Sequence, residues 1–270
     1  MIRNRAWAAG AGEGPAAHCV RGQCYERVTG PGASCPSARR TVPAVDDERT
    51  GHDVGVGPWP GPWPTGAHYD PELLAAGDRR NVVDRYRYWR LAAIVADLDA
   101  RRHDFHVAIE NWQHDFNIGT VVRNANAFLA AEVHIVGRRR WNRRGAMVTD
   151  RYQHIRYHPD ADDLLVWARG AGLPLVGIDN LPGAVQLERA TLPRRCVLVF
   201  GQEGPGLSEP VRQACAQVFS IAQYGSTRSI NAGVASGIAM HAWIRVHAGE
   251  YRDEVRALPI EATPPRVLDV

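Results

Sequence analysis

The sequence predicts an α/β fold: a mostly parallel sheet with helices on both faces, behind an irregular N-terminal extension. Three observations predict it. From residue 105 onward, short apolar runs of strand length alternate with amphipathic stretches of helix length, the pattern of a parallel sheet covered on both sides. Glycine, asparagine and acidic residues gather just after the apolar runs, where ligands bind in such sheets. The first 65 residues are instead rich in Gly, Ala, Pro and Arg, a composition that buries little core.

The elements follow in order. Residues 1–65, closing in GVGPWPGPWPTG, read as a low-complexity, disordered extension. Residues 66–102 read as a helical segment, because PELLAAGDRRNVVDRYRYWRLAAIVADLDARR carries apolar positions at helical spacing from Pro71 to Arg102. The α/β domain is expected over 103–250. FHVAIEN is a strand and NIGTVVRNANAFLA a helix; EVHIVG is a strand and DADDLLVWARGAG a helix. LPLVGIDN is a strand, followed by a short helical turn near VQLERA. CVLVFGQE is a strand, SEPVRQACAQ a helix, VFSIAQ a strand, and the stretch ending AGVASGIAMHAW the last helix. The tail 251–270, ending LPIEATPPRVLDV, is irregular.

Composition narrows the function classes. No run approaches the ~18 apolar residues of a membrane span. The N-terminus has no apolar stretch of the secretory kind, so a cytoplasmic protein without a membrane partner is expected. Cys19, Cys24, Cys35, Cys196 and Cys215 include no CxxC, which favours reduced thiols and no structural metal. The net charge of +3 says little. Its distribution says more: GRRRWNRRG sets Arg138, Arg139, Arg140, Arg143 and Arg144 around Trp141. That cluster suits phosphate contact, with an indole able to stack on a base, or is a solvated loop.

Three loops carry chemistry. In the first, Asn117 stands at an N-cap position before the apolar stripe Ile118, Val121, Val122, Ala125 and Leu129. At about 100° per residue, Arg123 lies about 140° from Ile118, off that stripe. The second, VFGQEGPGLSEP, has Gly201, Gly204 and Gly206 around Glu203, letting backbone pass close to a ligand. No Gly-Lys-Ser/Thr follows, so it is not a P-loop. The third puts Ser229, Ile230 and Asn231 at a helix start, followed by Ala232, Gly233, Ala235, Ser236 and Gly237. A helix needing only stability would use Leu, Glu and Lys there; small residues let a sheet, a second subunit or a ligand approach. Ile230, Val234 and Ile238 recur every fourth residue and are expected to face the core.

In this order and spacing, Asn117-x-Gly119-x-x-x-Arg123, Gly201-x-Glu203-x-x-Gly206-Leu207 and Ser229-Ile230-Asn231 resemble the three motifs of the SpoU–TrmH family of SPOUT RNA methyltransferases. The resemblance covers about Phe105 to Val246. It implies a sheet ending in a C-terminal trefoil knot, a homodimer whose active site draws on both subunits, and methyl transfer from S-adenosylmethionine to a ribose 2′-hydroxyl of RNA. It implies that the cofactor lies against Ile178, Asp179, Gly201, Gly206, Leu207, Ile221 and Ile230. The family pattern Ile-Pro-Met is here Ile221-Ala222-Gln223, which should loosen the knot loop slightly. QYGSTRSIN, with Arg228 before Ser229, is similar to the enzymes acting on D-loop guanosine of tRNA.

By the same resemblance, Arg123 is central to catalysis, as a base assisted by the RNA phosphate or as a phosphate clamp that stabilises the alkoxide. Asn117, Glu203, Ser229 and Asn231 orient it, the ribose or the loops, and Glu203 could pair with Arg123, within one chain or from the other subunit. Arg138, Arg139, Arg140, Arg143, Arg144, Arg228 and the helix at 71–102 are candidates for RNA contact. Two alternatives stand beside this reading: a 23S rRNA ribose methyltransferase, and an RNA-binding SPOUT protein that has lost catalysis. A nucleotide-binding protein is the remaining one, disfavoured because no lysine follows the glycines.

Overall fold

The computed structural model describes residues 55–112 and 117–249. The expectations for residues 1–54, including Cys19, Cys24 and Cys35, and for the tail 251–270 lie outside the described residues.

Seven strands form one sheet: β1 (Phe105–Asn111), β2 (Val133–Gly137), β3 (Ile155–His158), β4 (Leu175–Ile178), β5 (Val185–Gln186), β6 (Cys196–Phe200) and β7 (Gln217–Ser220). Their order is β3-β2-β1-β6-β4-β7-β5, and every neighbouring pair is parallel. Six α-helices accompany them: α1 (Pro71–Ala76), α2 (Leu91–Asp99), α3 (Ile118–Ala127), α4 (Ala161–Ala171), α5 (Glu209–Ala214) and α6 (Ala232–His247).

The period of two in the strands sorts the core into two layers. Phe105, Val107 and Ile109 of β1 join Ile135, Leu198 and Phe200 under α3 and α6. Ala108 of β1 joins Val136, Val197 and Val199 under α4 and α5. The expected stripe of α3 is buried at Ile118, Val121, Val122 and Ala125. Leu129 falls beyond the helix end, at φ 55°. The α4 side also holds polar groups. His106, His134 and His158, from three adjacent strands, line up beside Trp167. Burial, with the neighbouring histidines, pushes the imidazole of His134 down to about 2.

The sequence expectation fails at four points. β3 was not anticipated: IRYH is an edge strand with Arg156 exposed, so it lacks an apolar run. VQLERA begins as the two-residue edge strand β5 before its helical turn. The helix expected from 71 to 102 is two short helices with a loop between them. The chain turns at Gly77, and buried Asp78 then collects the side chain and amide of Arg80 and the amide of Tyr88. Residues 55–65 are not a loose extension. Val56 bridges Asp78, Trp59 meets Tyr88 edge-on at 5.3 Å, and Tyr88 donates to the Gly57 carbonyl at 2.6 Å. The 71–102 segment joins the sheet domain through Arg102, which donates to Gln153, Tyr152 and Ala130.

Candidate active site

The site grows from the carboxyl ends of β1, β4, β6 and β7, where the strand order reverses between β1 and β6. At the end of β6 the chain makes a tight hairpin, closed by the Gln202 amide on the Gly206 carbonyl at 3.1 Å and its reciprocal at 3.0 Å. A Cβ on Gly201 would overlap the backbone of Gly206 and Leu207, and one on Gly206 would overlap the Asp179 carboxylate. Gly206 also sits at φ 75°, a conformation L side chains avoid.

Asp179, at the end of β4, accepts from the Leu207 amide at 2.9 Å and from the Asn180 amide at 2.7 Å. Its carboxylate therefore staples the glycine hairpin to β4. Asn180 donates from Nδ2 to the Arg228 carbonyl at 3.0 Å, holding the loop after β7 against the same edge.

The three sequence motifs meet in one hydrogen-bond chain. Asn117 donates from Nδ2 to Glu203 at 2.7 Å, and its Oδ1 accepts from Asn231 Nδ2, also at 2.7 Å. Asn231 in turn caps α6, its Oδ1 accepting from the Val234 amide at 3.2 Å. Asn117 occupies the N-cap position of α3 but makes no capping bond; its side chain is spent on the two other loops. Within one chain, Glu203 is held by Asn117 and makes no bond to Arg123 among the described residues.

The small residues of α6 are explained by α3. A Cβ on Gly233 would stand 2.9 Å from Thr120 Cγ2. Asn124 donates across the seam to the Gly233 carbonyl at 2.9 Å and to Ser236 Oγ at 3.0 Å. The approaching backbone is thus another helix. Consequently Gly233, Ser236, Ala239, Met240 and Trp243 are the buried face of α6. Val234 and Ile238, expected in the core, are 54% and 39% exposed.

Around these loops lies a cleft with about 660 Å³ of empty space, part of it open to solvent. Ile178, Asp179, Gly201, Gly206, Ile221 and Ile230 line it, with Glu203 and Ser229 at its polar side. Leu207 does not: it is buried, its Cδ1 packed toward Gly177 beneath the hairpin. Arg123 lies outside the lining, exposed on α3, with no hydrogen-bond or ion partner among the described residues. Gln223 was missed from sequence. It lines the cleft, and its buried Oε1 has no partner among the described residues. The cleft therefore pairs aliphatic walls with a buried acceptor, a lining that fits an apolar group carrying an N–H or O–H donor. Burial pushes the Cys196 thiol up to about 12 and that of Cys215 to about 11, so neither is a nucleophile near neutrality.

The arginine-rich loop is fastened beside this edge. Asn111, at the end of β1, donates to the carbonyls of Arg138 and Arg140 at 2.6 and 3.0 Å. The side chains of Arg138, Arg139, Arg140, Arg143 and Arg144 remain exposed. Trp141 is not a free platform for a base. It packs against the core, its Nε1 reaches Tyr157 at 3.4 Å, and Arg143 covers its ring at 5.6 Å.

Residues 104–241 match the SpoU rRNA Methylase family. The chain belongs to this family. A SpoU relative from Mycobacterium sp. (strain KMS), named an uncharacterized tRNA/rRNA methyltransferase, is 36% identical over 141 residues, covering 50% of this chain and 44% of its own. The tRNA (guanosine(18)-2'-O)-methyltransferase of Escherichia coli (strain K12) is 27% identical over 184 residues, covering 66% and 80%. The chain thus spans less than half the length of the mycobacterial relative. Among solved structures, the SpoU fold is matched by a TrmH/SpoU tRNA modifying enzyme of A. aeolicus, with TM-score 0.52 and 22% identity over 58% of this chain and 81% of the other.

Proposed function

We propose that the chain methylates a ribose 2′-hydroxyl of RNA, using S-adenosylmethionine held in the cleft of Ile178, Asp179, Gly201, Gly206, Ile221 and Ile230. The observation that carries this reading is the chain Glu203–Asn117–Asn231, which draws the three SpoU motifs together at the rim of that cleft. The Gln223 Oε1, without a partner among the described residues, fits an N–H or O–H of the cofactor. Leu207 supports the pocket from below, its amide fixing Asp179.

When bound, S-adenosylmethionine supplies an electrophilic methyl group on a sulfonium. The part of the protein is position and charge. Holding two reactants in line contributes ~7–11 kcal/mol in good cases. Arg123 is six residues beyond Asn117 on α3 and has no carboxylate partner among the described residues of the chain. Guanidinium keeps its proton at neutral pH, so the clamp reading is the better one. Arg123 grips the phosphate beside the target ribose bidentately and neutralises the charge that builds on the 2′-oxygen. Ser229, at the mouth of the cleft, orients the ribose. Asn117, Glu203 and Asn231 keep the loops in register. The exposed Arg138, Arg139, Arg140, Arg143, Arg144 and Arg228 extend the phosphate track.

Three further parts belong to this reading. A trefoil knot is supported by the bonds holding the loop after β7 to β4 and α3 before α6 turns back. A homodimer is supported by the exposed Val234 and Ile238. A cytoplasmic location follows from an RNA substrate; none of the described helices is long and apolar enough to cross a membrane. The substrate is proposed to be tRNA, with D-loop guanosine first, on the name of the Escherichia coli relative. Ribosomal RNA is the second reading, supported by the family itself.

The test is transfer of labelled methyl from S-adenosylmethionine into unmodified tRNA and rRNA, with nuclease mapping of the product. The expected result is a 2′-O-methylguanosine in the tRNA D-loop and a loss of at least ~100-fold with Arg123→Ala, as for removal of one charge-stabilising donor. Label in rRNA alone transfers the reading to the second substrate. No label in any RNA, or full activity of Arg123→Ala, overturns it.

A further inference from the structure

At the opposite, amino-terminal end of the sheet, three side chains converge that the methyl-transfer site does not use. In the parallel register of β1 and β2, Val107 pairs with Val133 and Ala108 with His134. His106, Glu132 and His134 therefore share the α4 side of two adjacent strands. His106 Nδ1 is 3.1 Å from His134 Nε2, and Glu132 Oε2 is 3.7 Å from the same nitrogen. The three potential ligand atoms all lie within 4.8 Å of one another. Zinc–nitrogen bonds of ~2.0–2.1 Å in a tetrahedron put ligand atoms about 3.3 Å apart, between the two distances observed.

A second observation is the chain behind His134. Its Nδ1 is 2.9 Å from His158 Nε2, and His158 Nδ1 is 2.7 Å from Asp163 Oδ2. A carboxylate only accepts, so His158 donates from Nδ1, and its neutral form accepts on Nε2. In that tautomer chain His134 donates from Nδ1, which leaves the Nε2 lone pair facing His106 and Glu132. A metal-binding histidine is usually oriented this way, its outer N–H fixed by a partner. Arg156 holds Glu132 through Nε at 3.1 and 3.2 Å and so fixes the carboxylate. The guanidinium also places a positive charge nearby, which weakens the attraction of a cation. His106 and Glu132 are only half-buried, which leaves a coordination position for water.

We propose that His106, Glu132 and His134 form a site for a divalent transition metal ion, with zinc the best fit, that clamps the amino-terminal ends of β1 and β2. Two imidazoles and one carboxylate suit zinc, cobalt or nickel, not magnesium or calcium. Without metal, His106 donates its Nδ1–H to His134. With metal bound, His106 Nδ1 is a ligand and its proton moves to Nε2. The clamp lies across the sheet from the cleft, so it acts on stability and not on methyl transfer.

The test is titration of the full, tag-free chain with Co2+ and Zn2+, followed by visible absorption, calorimetry and tryptophan fluorescence. One equivalent of Co2+ should give d–d absorption without a thiolate charge-transfer band. It should quench Trp167, whose ring centroid is 4.0 Å from that of His134, and Trp167→Phe should remove that quenching. Zn2+ should raise the melting temperature, and a chelator should reverse the rise. Glu132→Gln and His106→Gln, both at half-buried positions that spare the core histidine, should each weaken binding at least ~10-fold. Failure of the wild-type chain to bind at micromolar metal overturns the proposal. So does unchanged affinity in both variants, or a thiolate band showing that cysteines hold the ion.

Discussion

Ala222 and Gln223 stand where the family pattern has proline and methionine. The missing proline was expected to loosen the loop after β7. Instead the Ala222 amide donates to Glu188 Oε1 at 3.0 Å, a bond proline cannot make, so the loop is tied by another means. Gln223 is the converse case. Its Oε1 is buried without a partner among the described residues, and an orphaned acceptor costs about 1–3 kcal/mol. The cost is tolerable if a bound ligand supplies the donor. Gln223→Met should therefore act with opposite signs on two measurements. The ligand-free protein should gain roughly 1 kcal/mol in chemical denaturation. The dissociation constant for S-adenosylmethionine, read by calorimetry, should rise ~10-fold, the loss of about 1.4 kcal/mol. Unchanged or tighter binding would remove Gln223 from the cofactor site.

At the scale of elements, the turn between α1 and α2 depends on one carboxylate. Asp78 is fully buried and holds Arg80 at 2.7 Å. Burial alone would raise its pKa, but the hydrogen bonds from Arg80 and from the amides of Arg80 and Tyr88, with the Arg80 charge, together bring it below its ordinary 3.8. The folded state thus binds fewer protons here than the unfolded chain around pH 4. This contribution to stability is complete above pH 3.8 and is lost as pH falls through the lower folded value. Asp78→Asn should cost about 3 kcal/mol at pH 7 by leaving Arg80 without its counter-charge. In urea unfolding followed by tryptophan fluorescence, the gap between wild type and variant should narrow below pH 3.8. A gap independent of pH would show that the carboxylate charge is not what holds the turn. The same residue explains why 71–102 reads as one helix in sequence. Its apolar spacing is helical throughout, whereas the bonds that break it run from Asp78 to Tyr88 and exist only in the folded chain.

Across the whole molecule, the sheet was legible because its inner strands are mostly apolar, CVLVF of β6 most plainly, even where β1 and β2 bury Glu110, Asn111 and His134. β3 was illegible because an edge strand need not be apolar. The motif residues were legible as types at spacings, but not their pairing: Asn117 reaches Glu203 and Asn231 across 86 and 114 residues. The orientation of α6 was misread for a physical reason. Large aliphatics at every fourth position normally mark the core face, but here α3 comes so close to the first turns of α6 that Gly233 and Ser236 face it, ahead of Ala239, Met240 and Trp243. That turns Val234 and Ile238 outward, one turn apart on a helix whose N-cap, Asn231, belongs to the motif chain. Exposed aliphatics mark a protein interface where they join into a contiguous patch. If a second copy covers them, Val234→Glu with Ile238→Glu should leave the fold intact, since neither side chain is in the core. The double variant should weaken self-association by ~3 kcal/mol or more, at least ~100-fold in dissociation constant, read by sedimentation equilibrium. Methyl transfer should fall with dimer content as protein is diluted, because Arg123 of one subunit would then serve the cleft of the other, as the family resemblance implies. A double variant that stays dimeric, or a monomer that keeps full transfer, would put the interface on another face and the whole site within one chain.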